Sequence, residues 1–128
     1  MVAMYDTLIM LKPNATIRIE DVHRLVSEVA ASGECRIEHD GSCIHLIDGS
    51  ASLVIGWSDA PHVIEESNDI AKQFAIPCTG CHTRLEMNGD DPDMELFNDY
   101  LIINERLQET GQVIIFDTEE CKLLFEDK

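Results

Sequence analysis

Apolar and polar positions change period along the chain, and each change marks an element. Between Cys35 and Trp57 they alternate one by one, the period of a strand with one buried face. Asp40-Gly41 and Asp48-Gly49 divide that stretch into three runs. Asp-Gly between β-prone runs is a strong signal for a tight two-residue hairpin, so the stretch predicts a three-stranded meander. With the Asp-Gly pairs as the loops, His39 stands opposite Ser42, Ile37 opposite Ile44, Arg36 opposite His45, and Leu46 opposite Ala51. One face then carries Cys35, Ile37, Ile44, Leu46, Ala51, Leu53, Ile55 and Trp57. The other carries Arg36, Glu38, Cys43, His45, Ser52 and Val54. A slip of one residue would scramble that separation.

Before the meander, the run from Tyr5 to Lys12 predicts a first strand that stops at Pro13-Asn14. Val22, Leu25, Val26 and Val29 then recur at helical spacing, predicting a helix from about Ile19 to Ser32 closed by Gly33. After the meander, Ser58-Asp59-Ala60-Pro61 has the composition of a capped helix start. Val63, Ile64, Ser67, Ile70, Ala71 and Phe74 supply its inner stripe. Thr83 to Asn88 alternates as a strand, with Asn88-Gly89-Asp90 as its closing turn. Asp91-Pro92-Asp93 opens the longest helix, about Pro92 to Thr110, whose inner face holds Leu96, Phe97, Tyr100, Leu101, Ile103 and Leu107. Gln112 to Asp117 and Cys121 to Phe125 read as a final hairpin.

The order is therefore β-α-β-β-β-α-β-α-β-β. Hairpin-linked strands with interspersed helices indicate an α+β domain: an antiparallel or mixed sheet covered by helices on one face, ferredoxin-like or a related sandwich. The apolar face of the meander should meet Val22, Leu25 and Val29, and the long helix around Phe97 and Leu101. A length of 128 residues suits one domain spanning residues 1–128.

Composition adds an electrostatic constraint. The formal net charge is −16, from 25 acidic against 9 basic residues. Such a surface repels nucleic-acid backbones and anionic lipids, and attracts a basic protein. No apolar run reaches the roughly 20 residues of a membrane-spanning helix, and Asp6 interrupts the apolar N-terminal run where a signal peptide would need continuity. Both point to a cytoplasmic protein. Five cysteines without a secretory signal suggest free thiols.

Three constellations carry candidate chemistry. Cys78-Thr79-Gly80-Cys81-His82 resembles the C-x-x-C-H attachment site of c-type haem over those five residues. The strand-rich surroundings do not suit a small helical cytochrome. Cys78, Cys81 and His82 also have the spacing of half a zinc site, which would need a distant fourth ligand such as Cys43, His45 or Cys121. Second, Glu86, Asp90, Asp91, Asp93, Glu95 and Asp99 form an acidic run without Lys or Arg. Pro92 breaks any calcium-loop pattern, and carboxylates at a helix start serve capping and the helix dipole. Third, Arg36, Glu38, Cys43 and His45 share the polar face of the meander. Cys43 and His45 lie two residues apart on one strand, roughly 7 Å, and no third group orients them as a nucleophile and base.

No phosphate loop, serine elbow or metalloprotease motif is present, so the residues supply no argument for an enzyme. The expected function is an acidic cytoplasmic interaction or inhibitor protein, of antitoxin or immunity type, that docks on a basic partner. Asp90, Asp91, Asp93, Glu95, Asp99, Arg36, Glu38 and His45 are its candidate contact residues. It would need no cofactor. The alternative is a zinc-binding or thiol-based regulatory domain centred on Cys78, Cys81 and His82. Self-association through the sheet face of His45 and Val54 is a third expectation.

Overall fold

The computed structural model describes residues 3–30, 35–75, 80–91, 96–118 and 122–123. Its elements follow the predicted order: β1 (Ala3–Leu11), α1 (Ile19–Ala30), β2 (Arg36–Asp40), β3 (Cys43–Asp48), β4 (Ala51–Ser58), α2 (His62–Gln73), β5 (Thr83–Asp91), α3 (Phe97–Glu109), β6 (Val113–Asp117) and β7 (Lys122–Leu123). The strands make one antiparallel sheet in the order β2-β3-β4-β5-β1-β6-β7. The class is α+β. The chain carries more than the six-element ferredoxin-like order, because hairpin β2–β3 lengthens one edge of the sheet and α2 stands outside that scheme. Strands β5 and β6 flank β1 and are joined through α3, a split β-α-β unit.

The meander exists, but each turn sits one residue later than expected. Asp40 pairs with Cys43 and Asp48 with Ala51, so the loops are Gly41-Ser42 and Gly49-Ser50. Gly41 and Gly49 take φ of 58° and 60°, while neither serine has positive φ. That is the type II′ pattern, with glycine first, rather than the type I′ turn that would force the aspartates into left-handed backbone. The register therefore shifts by two: Glu38, not Arg36, stands opposite His45, and Arg36 stands opposite Ile47. An even shift preserves the faces. Ile44, Leu46, Ala51, Leu53 and Ile55 are buried together, with Cys35, Ile37 and Trp57 packed against them.

Helices cover both sides of the sheet. On the first face, Val22 and Val26 of α1 and Tyr100, Ile103 and Leu107 of α3 join Ile9, Leu53, Leu85, Met87 and Ile115 in the main core. Leu25, Val29, Phe97 and Leu101 pack around it as expected. On the second face, Ala71, Ile70 and Phe74 of α2 pack on Met10, Ile114 and Phe116. The one-face expectation is thus corrected. β1 and β6 lie between α2 and the other helices, which is why their apolar runs do not alternate.

Three boundaries also differ. Asn88-Gly89-Asp90 is strand, not turn: β5 is hydrogen-bonded to β1 and β4 on either side, and ladder pairing overrides local turn preference. No side chain caps α2, which starts behind Pro61. The described part of α3 begins at Phe97, where Asp91 accepts the Leu96 N–H at 2.8 Å from the end of β5. Gly111, with φ of 71°, ends α3 as predicted; Gly33 lies outside the described residues.

α3 is also tied to the sheet by a buried hydroxyl pair, Thr7 Oγ1 to Tyr100 Oη at 2.7 Å. Tyr100→Phe should cost about 1–2 kcal/mol, because it leaves the Thr7 hydroxyl short of a partner, and adding Thr7→Val should recover most of that loss. Denaturant unfolding of the two single variants and the double variant checks this. Strictly additive losses would contradict it.

Candidate functional site

α2 covers only part of the second face. The side chains of Cys43, His45 and Ile47 on β3, and of Ser52 and Val54 on β4, are half-buried and belong to neither core cluster. The register places them in rows: Glu38, His45, Val54, Asn88 and Asp6 form one, and Arg36, Ile47, Ser52 and Asp90 the next. A groove of about 250 Å³ continues this surface beside α2, lined by Leu8, Ile70, Glu66 and Asp69. Cys43, Ile47 and Val54 thus form a short apolar strip with Glu38, Asp40 and Asp90 at its borders, and Asp6, Glu66 and Asp69 add carboxylates toward the groove.

The basic residues of β2 to β5 do not offset that border. Arg36 is exposed and paired to Glu38, Nε to Oε2 at 3.3 Å. Arg84 is 5% exposed beneath α2. Its Nη1 donates to Glu66 Oε1 at 2.8 Å, and Nη2 and Nε donate to Glu86 Oε2 at 2.6 and 2.9 Å. Burial works against the guanidinium charge, but the hydrogen bonds that Arg84 donates to Glu66 and Glu86, together with their negative charges, outweigh it and raise the pKa above the ordinary arginine value. Sequence reading missed this network. An arginine between Thr83 and Leu85 has the pattern of an exposed strand position, and Glu66 reaches it from 18 residues away.

The expected contact residues divide into groups. Arg36, Glu38, His45 and Asp90 come together on the open face. Asp91 does not join them: it is fully buried and holds the Leu96 N–H. Its expected surface role is replaced by a capping role. Asp99 lies in the first turn of α3, on the other side of the sheet, near Cys35. Asp93, Glu95, Cys78 and Cys121 lie outside the described residues.

The candidate metal residues diverge. Cys81 is buried beside Met10, Ala71, Ile114 and Phe116. His82 is exposed, with Nδ1 3.0 Å from Thr83 Oγ1. Among the described residues, no three His, Cys, Asp or Glu groups are arranged to hold a metal ion.

Cys35 sits among carboxylates, its Sγ 3.7 Å from Asp99 Oδ2 and 3.9 Å from Asp48 Oδ2. Burial, followed by the negative charges of Asp99 and Asp48, pushes its pKa up to about 11. Burial likewise raises the Asp99 pKa, with Asp48 adding to the effect and the Cys35 hydrogen bond opposing it. A thiol held in this way is a poor nucleophile, because the thiolate is the reactive form. Alkylation of Cys35 near pH 8.5 should be on the order of a hundredfold slower than that of an ordinary exposed thiol. Mass-spectrometric mapping of iodoacetamide labelling measures the rate. Labelling of Cys35 at the rate of a model peptide thiol would contradict the assignment.

No protein-family model, curated protein or solved structure matches the chain. Among the described residues, no helix is long and apolar enough to cross a membrane.

Proposed function

We propose that this chain is a small acidic interaction or inhibitor protein that receives a basic protein partner on the open face of β2 to β5. One observation carries the reading: an apolar strip outside both cores, bordered by carboxylates whose neighbouring arginines are already neutralised. Lysine and arginine suit such a surface, because their aliphatic stems lie on apolar groups while their heads reach carboxylates. The net charge of −16 extends the attraction beyond contact range and speeds encounter at low salt. The proposed role is neutralisation of a nucleic-acid-directed enzyme in the cytoplasm, as an antitoxin or immunity-type protein does. Such an enzyme presents the positive surface that binds phosphates.

Immobilised protein exposed to lysate at low salt, then eluted through a salt gradient, tests the reading. A specific basic protein, released as salt rises, is the expected result. Recovery of no such partner would sink the proposal. Light scattering across a range of concentrations separates this reading from self-association, since a docking protein of this kind stays monomeric when alone.

A further inference from the structure

On the α1 side of the sheet, away from the open face, α1 and the edge strand β2 bring two histidines together. The ring centres of His23 and His39 are 4.6 Å apart, and the planes are tilted by 37° rather than stacked flat. Strand alternation explains the meeting. His39 shares a face with Cys35 and Ile37, which pack on the core that Val22 and Val26 of α1 complete. His23 is half-buried and His39 exposed, so water reaches the pair while the backbone of each residue is held in a regular element.

The hydrogen bonding of His39 sets its tautomer. The Gly41 carbonyl can only accept, so His39 Nε2, 3.0 Å away, carries the proton. In the neutral ring Nδ1 then holds the lone pair. A backbone carbonyl behind one ring nitrogen is the usual support of a metal-binding histidine, because it fixes the ring and makes the other nitrogen more basic. The spacing agrees. An ion about 2.0–2.1 Å from one nitrogen of each ring stands roughly 3.2 Å from each ring centre, so ligand angles of about 90–110° place the centres on the order of 4.5–5.2 Å apart. The observed 4.6 Å lies near the right-angle end of that range. Electrostatics favours a cation as well: exposed Glu20 stands one helical turn before His23, and Arg24 is already paired to Asp21 at 3.3 Å.

We infer that His23 and His39 form a two-histidine site for a late first-row divalent cation, Ni²⁺ or Cu²⁺ in preference to tetrahedral Zn²⁺. Imidazole nitrogens suit these ions, and ligand angles near 90° belong to their tetragonal and octahedral geometries. Among the described residues no third His, Cys, Asp or Glu completes the group, so water fills the remaining positions. The bound ion fastens β2 to α1. That strand pairs on one side only, with β3, and four of its five residues are exposed, so a clip at its end governs how readily it opens.

Ni²⁺ is the probe, added to the reduced full chain, and Mg²⁺, which prefers oxygen ligands, is its match for binding to carboxylates alone. Calorimetry should give one saturable Ni²⁺ site, with half-saturation below about 100 μM. His23→Gln and His39→Gln should each weaken it at least about tenfold, because a single imidazole remains. His45→Gln and His82→Gln should leave it unchanged, with circular dichroism confirming that every variant folds. Hydrogen exchange of the β2 amides should slow on addition of Ni²⁺, but not of Mg²⁺ and not in the His23→Gln or His39→Gln chain. Three results would overturn the inference. No saturable Ni²⁺ binding would leave a packed ring pair only. Binding unchanged in His23→Gln or in His39→Gln would place the ion on thiols or carboxylates elsewhere. An equal loss in His45→Gln or His82→Gln would mean that no particular pair holds it.

Discussion

Arg84→Ala should destabilise the fold by about 2–4 kcal/mol, whereas Arg84→Met should cost about 1 kcal/mol or less. The alanine variant removes the cation and its packed stem together. It leaves a cavity under α2 and strips Glu66 and Glu86 of their partner. Those carboxylates are 47% and 37% exposed, so they recover water, and the loss stays below that of a fully buried pair. Methionine keeps the apolar volume against α2 and asks for no hydrogen bond. Urea unfolding gives both values. Native-state hydrogen exchange adds a local readout: α2 should open more readily than α1 in the alanine variant, since Arg84 fastens α2 to β5. Equal losses for alanine and methionine would show that the ion pairs, rather than packing, hold α2 in place.

The second large effect concerns docking. Glu38 and Asp90 are exposed carboxylates at opposite borders of the open face, and neither supports the core. Reversing both with Glu38→Lys and Asp90→Lys should weaken the basic partner's binding by on the order of tenfold or more. Stability should change little, because exposed substitutions outside special backbone sites rarely exceed about 0.5 kcal/mol. Val54→Ser attacks the apolar strip instead, and should weaken docking without altering the charge border.

Much of this fold is legible in the residues, and the exceptions have physical causes. Alternation from Cys35 to Trp57 settles the two faces because side-chain period is two, and a register shift of two leaves it intact. The turn type was not legible. Asp-Gly and Gly-Ser both supply a glycine for left-handed backbone, and the choice between them rests on whether aspartate or glycine comes first in the loop. Cover on the second face had a readable signal: Leu8 to Leu11 and Val113 to Phe116 are unbroken apolar runs, the mark of strands buried on both sides. Asn88-Gly89-Asp90 had none, since only the flanking β1 and β4 make those residues a strand. Asp91 offers a similar lesson. An aspartate before proline in an acidic run has the pattern of surface charge, and its burial follows from meeting the Leu96 N–H. The site was half legible. Arg36, Glu38 and His45 were separable from the core by alternation, while Leu8, Ile70, Glu66 and Asp69 joined them only through the placement of α2.

The most direct measurement of the docking account compares two variants of equal charge. One carries Glu38→Lys and Asp90→Lys on the open face. The other carries Glu105→Lys and Glu109→Lys on exposed positions of α3, across the sheet. Both raise the net charge by the same amount, so any nonspecific attraction falls equally. The account predicts that partner retention on the immobilised protein collapses, or shifts to much lower salt, for the open-face variant alone. Equal loss in both variants, or retention by both, would contradict it.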